Sequence, residues 1–168
     1  MSDIKPVLHL LCGKAAAGKS TLCAQLAQAP RTLLISQDPW MAALYPDELQ
    51  TIPDYVRLVP RLRAAMGPHV AEILRAGLSV VLDWPANTAA TRRWMKGIFE
   101  VAGADHRLHW LDVPDAVCLA RLQARNAAGA HEFTLTEAQF VELTRYFEPP
   151  APEEGFDLVR FPMPLRDS

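Results

Sequence analysis

The eight residues Gly13-Lys14-Ala15-Ala16-Ala17-Gly18-Lys19-Ser20 fit the phosphate-binding pattern G-x-x-x-x-G-K-[ST], and no other stretch constrains the fold of this chain as strongly. Such a loop works between a buried strand and the first turn of a helix. Glycines at both ends let the backbone curl until successive N–H groups point inward at phosphate oxygens, and the following helix aims its partly positive N-terminus at the same oxygens. Both flanks are present. Val7 to Cys12 is a mostly apolar run, as expected of a strand buried on both faces. Leu22, Cys23, Leu26 and Ala27 then fall at helical spacing before Ala29-Pro30 stops the helix. In this setting Gly13, Ala15, Ala16, Ala17, Gly18 and Thr21 are expected to cradle a nucleoside triphosphate. Lys19 reaches the β- and γ-phosphates, and the Ser20 hydroxyl can ligand Mg²⁺.

Beyond this helix, Thr32 to Ser36 reads as a second strand, which Pro39 ends, and residues 41 to 54 read mainly as loop, a flap on the acceptor side. From Tyr55 to Ala76 the apolar positions keep helical spacing, but Pro60 and Gly67-Pro68 interrupt them, so a bent helix and two short ones both fit. Leu78 to Leu82 is a third strand that ends in Asp83, and Asn87-Thr88 caps a helix that stops at Gly103. Leu108 to Leu111 is a fourth strand, followed by a helix from Asp115 to Asn126. A short lid is expected at about 126–135, then a helix opened by the capping-box pattern Thr136 to Gln139. A last strand spans Phe156 to Phe161, and the tail 162–168 is expected to be loose.

Apolar strands alternating with helices imply one α/β domain over residues 1–168, a three-layer sandwich in which helices cover both faces of a parallel sheet. Ligands bind such sheets beyond the strand C-terminal ends. The phosphate loop, Asp38, Asp83 and Asp112 all follow strands, so they should gather at one edge.

That gathering gives the acids their roles. Phosphoryl transfer to a hydroxyl needs a carboxylate that takes or orients the attacking proton, and Asp38 is the candidate. Asp83 closes an apolar run in the manner of a Walker B acid, which holds Mg²⁺ or its water. If the third strand borders the first and the second lies beyond it, Asp83 is near the metal and Asp38 reaches the acceptor; another order would exchange the roles. Arg121 and Arg125 stand four apart on a helix, where like charges cost about 0.2 to 0.5 kcal/mol, and a phosphate chain between them would remove that cost. Arg92 and Arg93 fit either a contact with acceptor or γ-phosphate or an exposed helix face. Trp40, Tyr45 and Trp84 fit an aromatic acceptor wall, with at least one of them in the core. His9 and His109 lie inside strands and read as packed histidines, and His131 falls in the lid. The cysteines Cys12, Cys23 and Cys118 have neither metal-ligand spacing nor an even count, so packing is their role.

With these residues in hand, the chain from about Leu8 to Phe161 resembles the small P-loop kinases that include polynucleotide 5′-hydroxyl kinases, chloramphenicol phosphotransferase and the zeta toxins. The resemblance is carried by Gly13 to Ser20, Asp38, Asp83 with Asn87 beyond it, and Arg121 to Asn126. It implies a five-stranded parallel sheet ordered 2-3-1-4-5. It also implies ATP and Mg²⁺ at Lys19 and Ser20, Asp38 as catalytic carboxylate, Asp83 near metal or acceptor, and phosphate contacts from Arg121 and a catalytic Arg125 on the lid side. Polynucleotide kinases of this kind carry an arginine three residues after the catalytic aspartate, where this chain has Met41. Together with a formal charge of −2 and a pI near 6.2, that disfavours a nucleic-acid acceptor, which would need a local basic patch. Trp40, Met41, Leu44 and Tyr45 point to a less charged small molecule.

The expected activity is therefore transfer of the γ-phosphoryl group of Mg-ATP to a hydroxyl of a small molecule. Two alternatives are a polynucleotide or nucleoside 5′-hydroxyl kinase and an ATP-binding regulatory module with slow hydrolysis. A GTPase is disfavoured because the chain has no Asn-Lys-x-Asp segment, and 168 residues leave little room for the extra helical domain of an AAA+ motor. The start of the chain lacks a signal-peptide layout and no apolar run approaches about 18 residues, so a cytoplasmic, soluble protein without membrane contact is expected.

Overall fold

Five strands pair side by side, all parallel, in the order β2-β3-β1-β4-β5. They are β1 (Val7–Cys12), β2 (Thr32–Ser36), β3 (Ser79–Pro85), β4 (Asp105–Leu111) and β5 (Leu158–Phe161). The helices between them are α1 (Lys19–Leu26), α2 (Gln37–Leu44), α3 (Ile52–Arg75), α4 (Ala89–Ala102), α5 (Asp115–Ala128) and α6 (Glu137–Arg145). The computed structural model describes residues 4–129 and 134–163. The order expected from the resemblance is thus the observed one, in a single-domain α/β fold.

The alternation along each central strand builds two cores. On one face Leu8, Leu10 and Cys12 of β1 and Val80 and Leu82 of β3 pack with α3 and α4; on the other, Leu11 and Val81 pack with α1, α5 and α6. Both faces are covered, as the near-continuous apolar strands require. All three cysteines are buried and unbridged, in keeping with a packing role. Among the described residues no helix is long and apolar enough to cross a membrane.

Three elements differ from the sequence reading in ways that shape the site. First, Gln37 to Leu44 is a helix that begins directly after β2, with Ser36 at its N-cap position. Pro39 is tolerated there because the first turn has no hydrogen-bond partner for the missing N–H, so the proline starts a helix where it was expected only to stop a strand. Second, α3 is one continuous helix of 24 residues, opened by a capping box between Thr51 and Asp54. Its Pro60 and Pro68 both face solvent, where the carbonyls they leave unbonded meet water, while Val59, Leu62, Met66, Val70 and Leu74 stay in the core. Third, β3 runs on through Asp83 to Pro85. Leu10 pairs with Leu82 but Leu11 pairs with Pro85, so Asp83 and Trp84 bulge out of the ladder beside the phosphate loop.

The expected lid at 126–135 begins as the last turn of α5, with Gly129 closing it in the left-handed region (φ 63°). Asn126 Nδ2 donates to the Leu135 carbonyl at 2.7 Å across the interval. Residues 130–133, His131 among them, and the tail residues 164–168 lie outside the described residues.

Candidate active site

The loop between β1 and α1 has the form a phosphate cradle needs. Ala16 and Gly18 both take positive φ, 60° and 105°, which turns consecutive N–H groups to one side. α1 starts with no side-chain cap and no acid in its first turn, so its N-terminal donors are left for an anion. A Cβ on Gly13 would lie 3.2 Å from the Leu111 carbonyl oxygen and 3.3 Å from Ala17 Cβ, which is why the first glycine is required. Lys19 bends back over the loop, its Nζ donating to the carbonyls of Gly13 at 2.5 Å and Lys14 at 2.8 Å. Burial pulls the Lys19 amine below its ordinary value, and Asp83 opposes that shift.

The loop is held from β3 as well. The Asn87 side chain accepts from the Gly13 N–H and donates to the Gly13 carbonyl, both at 2.9 Å, while the helix-capping task falls to Thr88, which accepts from the Thr91 N–H. Asn87 was legible only as a cap and as part of a resemblance; its contact with Gly13 spans 74 residues, which no local pattern reports. Replacing Asn87 with Ala should weaken nucleotide binding roughly 5- to 30-fold, since the buried Gly13 N–H would lose its partner at a cost of about 1 to 2 kcal/mol. Titration of a fluorescent ATP analogue against both proteins measures this.

Asp83 and Asp38 stand where the sheet order brings them. β3 borders β1 and β2 lies beyond, so Ser36 at the end of β2 is level with Asp83, and the Ser36 hydroxyl donates to Asp83 Oδ2 at 3.1 Å. Asp38 sits in the first turn of α2, exposed at the mouth of the site. Its carboxyl is held above the usual range by crowding and by the negative Asp83, with Lys19 pulling the other way, so the three groups share one electrostatic neighbourhood. The oxygen donors Ser20 and Asp83 suit Mg²⁺, which is held through one or two protein oxygens plus substrate phosphates. No group of three His, Cys, Asp or Glu side chains that could hold a metal ion occurs among the described residues.

On the other side of the loop, α5 turns Arg121 toward it: a Cβ on Gly18 would lie 3.8 Å from Arg121 Nη1. Arg125 is one turn further along, and its Nε is buried with no hydrogen-bond partner among the described residues. Thr21 follows on α1, partly buried. Lys14 is anchored sideways by an ion pair with Asp115 and lies over the Phe147 ring.

Several sequence candidates belong elsewhere. Arg92 is 1% exposed and forms a bidentate ion pair with Glu154, so it is structural, whereas Arg93 is exposed. Trp84 and Met41 are each 1% exposed and belong to the core, leaving Trp40 as the exposed member of the aromatic group. His9 Nδ1 and His109 Nε2 are 3.0 Å apart within the sheet. Burial, then the neighbouring His9, draws His109 down to about 4, so the pair is neutral and packed. Asp112, at the same sheet edge after β4, accepts from Arg160 of β5. Sequence reasoning missed Gln37 and Tyr55: the Gln37 amide, 1% exposed, donates to the Tyr55 hydroxyl, and Tyr55 in turn feels the Asp38 carboxylate.

A family model described as an AAA domain matches residues 8–150. Among solved structures, a provisionally assigned kinase of Chloroflexus aurantiacus has a TM-score of 0.72 at 23% identity, covering 94% of this chain and 85% of that one. Kti12 of Chaetomium thermophilum, solved with ADP-AlF3, has a TM-score of 0.69 at 16% identity, with coverage of 94% and 89%. The Mycobacterium tuberculosis APS kinase CysC, solved with AMPPNP and APS, has a TM-score of 0.62 at 21% identity, with coverage of 97% and 91%. At these identities the likeness is one of fold. No curated protein matches the sequence.

Proposed function

The chain belongs to the AAA domain family, and from that premise we propose that it is an ATP-dependent kinase acting on a hydroxyl of a small molecule, of the polynucleotide kinase, chloramphenicol phosphotransferase and zeta toxin type. What supports this reading is the position of Asp38 in the first turn of α2, across β3 from the phosphate loop and in one charge neighbourhood with Asp83 and Lys19. A switch module needs the loop but no acid at that point.

In this reading the loop amides from Gly13 to Ser20 grip the triphosphate, with Thr21 beside them, and Ser20 and Asp83 hold Mg²⁺, whose charge offsets that of the phosphates. Asp38 takes the proton of the acceptor hydroxyl as its oxygen bonds to the γ-phosphorus. The bond from that phosphorus to the bridging oxygen breaks, and ADP leaves with the electron pair. Lys19, Arg121 and Arg125 meet the charge that builds on the transferred group. A cytoplasmic location accords with such a substrate pair.

Incubation with γ-labelled ATP and a panel of hydroxyl compounds, nucleosides and oligonucleotides tests the proposal. Label on a small hydroxyl compound is expected. Label confined to oligonucleotide or nucleoside 5′ ends would move the protein to an end kinase. Tight ATP binding with no transfer to any acceptor would favour a regulatory module, and no uptake of nucleotide at all would sink every version.

A further inference from the structure

On the acceptor side, α3 carries an arginine that nothing in the phosphate machinery uses. Arg63 lies half-buried with its guanidinium over the Trp94 ring, 5.3 Å from the centroid. Trp94 in turn stacks on Trp84 at 5.3 Å, and Gly67 makes room for it: a Cβ there would lie 3.2 Å from Trp94 Nε1. Arg63 also feels the Tyr55 hydroxyl, the group that is bonded to Gln37 and close to Asp38. A continuous patch therefore runs from Asp38 through Tyr55 to Arg63 and the two tryptophans.

Two properties mark this patch as built for a ligand. Four exposed arginines, Arg57, Arg75, Arg145 and Arg160, each meet a carboxylate, as does buried Arg92 with Glu154, while the exposed Arg61 and Arg93 form no ion pair among the described residues and face solvent. Arg63 meets no carboxylate among the described residues either, although it is more buried than all of these exposed ones. Moreover, of six buried side-chain polar atoms with no hydrogen-bond partner among the described residues, three, Arg63 Nε, Gln37 Oε1 and Trp84 Nε1, belong to side chains of this patch. Buried polar groups are normally satisfied, and each exception asks for a cause. A guanidinium stacked on an aromatic floor keeps its edge free for two parallel hydrogen bonds to a carboxylate or phosphate.

Resting on the kinase reading, we propose that Arg63 is the acceptor-recognition residue, and that the acceptor carries a carboxylate or phosphate group besides the hydroxyl presented to Asp38. The residue at position 41 does not bear on acceptor charge, because the Met41 side chain lies in the core; the cation reaches the acceptor side from α3 instead.

The test fills the nucleotide site with AMPPNP and Mg²⁺, then titrates inorganic phosphate and acetate at constant ionic strength against wild type, Arg63→Gln and Arg63→Lys, following Tm. Wild type should gain Tm with at least one of the two anions, phosphate or acetate according to which group the acceptor carries. The midpoint concentration should rise at least tenfold in Arg63→Gln and less in Arg63→Lys. All three proteins should respond equally to AMPPNP, which also shows that the variants are folded. Equal anion responses in wild type and Arg63→Gln, or none in wild type, would overturn the assignment and leave the kinase reading standing. No AMPPNP response in wild type would instead defeat the kinase reading, and this inference with it.

Discussion

Exchange of Asp38 for Ala is expected to lower kcat for phosphoryl transfer about 10²- to 10⁴-fold, the usual worth of a positioned general base, and to leave nucleotide affinity within about twofold. The asymmetry follows from the geometry. Asp38 projects from α2 on the far side of β3, whereas the loop with Lys19 and Asn87, which on the proposed function would hold the nucleotide, lies at the end of β1. A loss of both parameters together would mean that Asp38 supports the loop. The pH profile offers a second check. Asp38 must be ionised to take a proton, and its surroundings hold its carboxyl above the ordinary 3.8, so activity should fall on acidification at a pH higher than a free aspartate would give. An acid limb at or below 3.8 would assign the proton transfer to another group.

Exchange of Arg92 for Leu should be the most destabilising single change, at about 3 to 5 kcal/mol, because it strands a carboxylate and several carbonyls. Arg92 donates to both oxygens of Glu154 at 2.7 and 3.1 Å, and to the carbonyls of Ala86, Glu148 and Pro149 at 3.0, 2.8 and 3.3 Å. One side chain thereby ties α4 to the end of β3 and to the stretch around the 3₁₀ turn Pro152–Glu154. Glu154→Gln should cost much less, since the guanidinium keeps its three carbonyl partners. Urea denaturation of the three proteins decides the matter: a shift for Arg92→Leu no larger than that for Glu154→Gln would mean that the carbonyl contacts contribute little. Burial alone would raise the Glu154 carboxyl, but hydrogen bonds from Arg92 and the Ala151 N–H outweigh it and hold the group below 4.5. Its contribution is therefore present above 4.5 and is lost as pH falls through the lowered value.

What could be read from the residues was what depends on local pattern. The strands β1 and β2 were legible to the residue because apolar runs between turn signals specify them, and the capping box at Thr136 marked α6 for the same reason. The sheet order followed from resemblance, and it sets Asp83 near the end of β3, level with Ser36, with Asp38 beyond it on α2. What escaped depends on long-range contacts or on proline in a double role. Pro39 reads equally as a stop and as a first-turn residue, so α2 was hidden. The bulge at Asp83 and Trp84 arises from pairing with β1, and periodicity within β3 carries no trace of it. Arg92 looked like a surface or phosphate-contacting arginine because its partner is 62 positions away. Tyr55 and Arg63 read as ordinary helix positions, since their importance comes from α2 and Trp94.

Asn87 joins two affairs that might have been separate. Its side chain grips Gly13 while its carbonyl accepts from the Glu148 N–H at 2.9 Å, and Glu148 also reaches back to the Ala89 N–H. The C-terminal crossing and the phosphate loop are thus tied through one residue at the exit of β3. Whatever free energy a bound nucleotide lends that crossing through Asn87, a steadied crossing lends back to nucleotide binding.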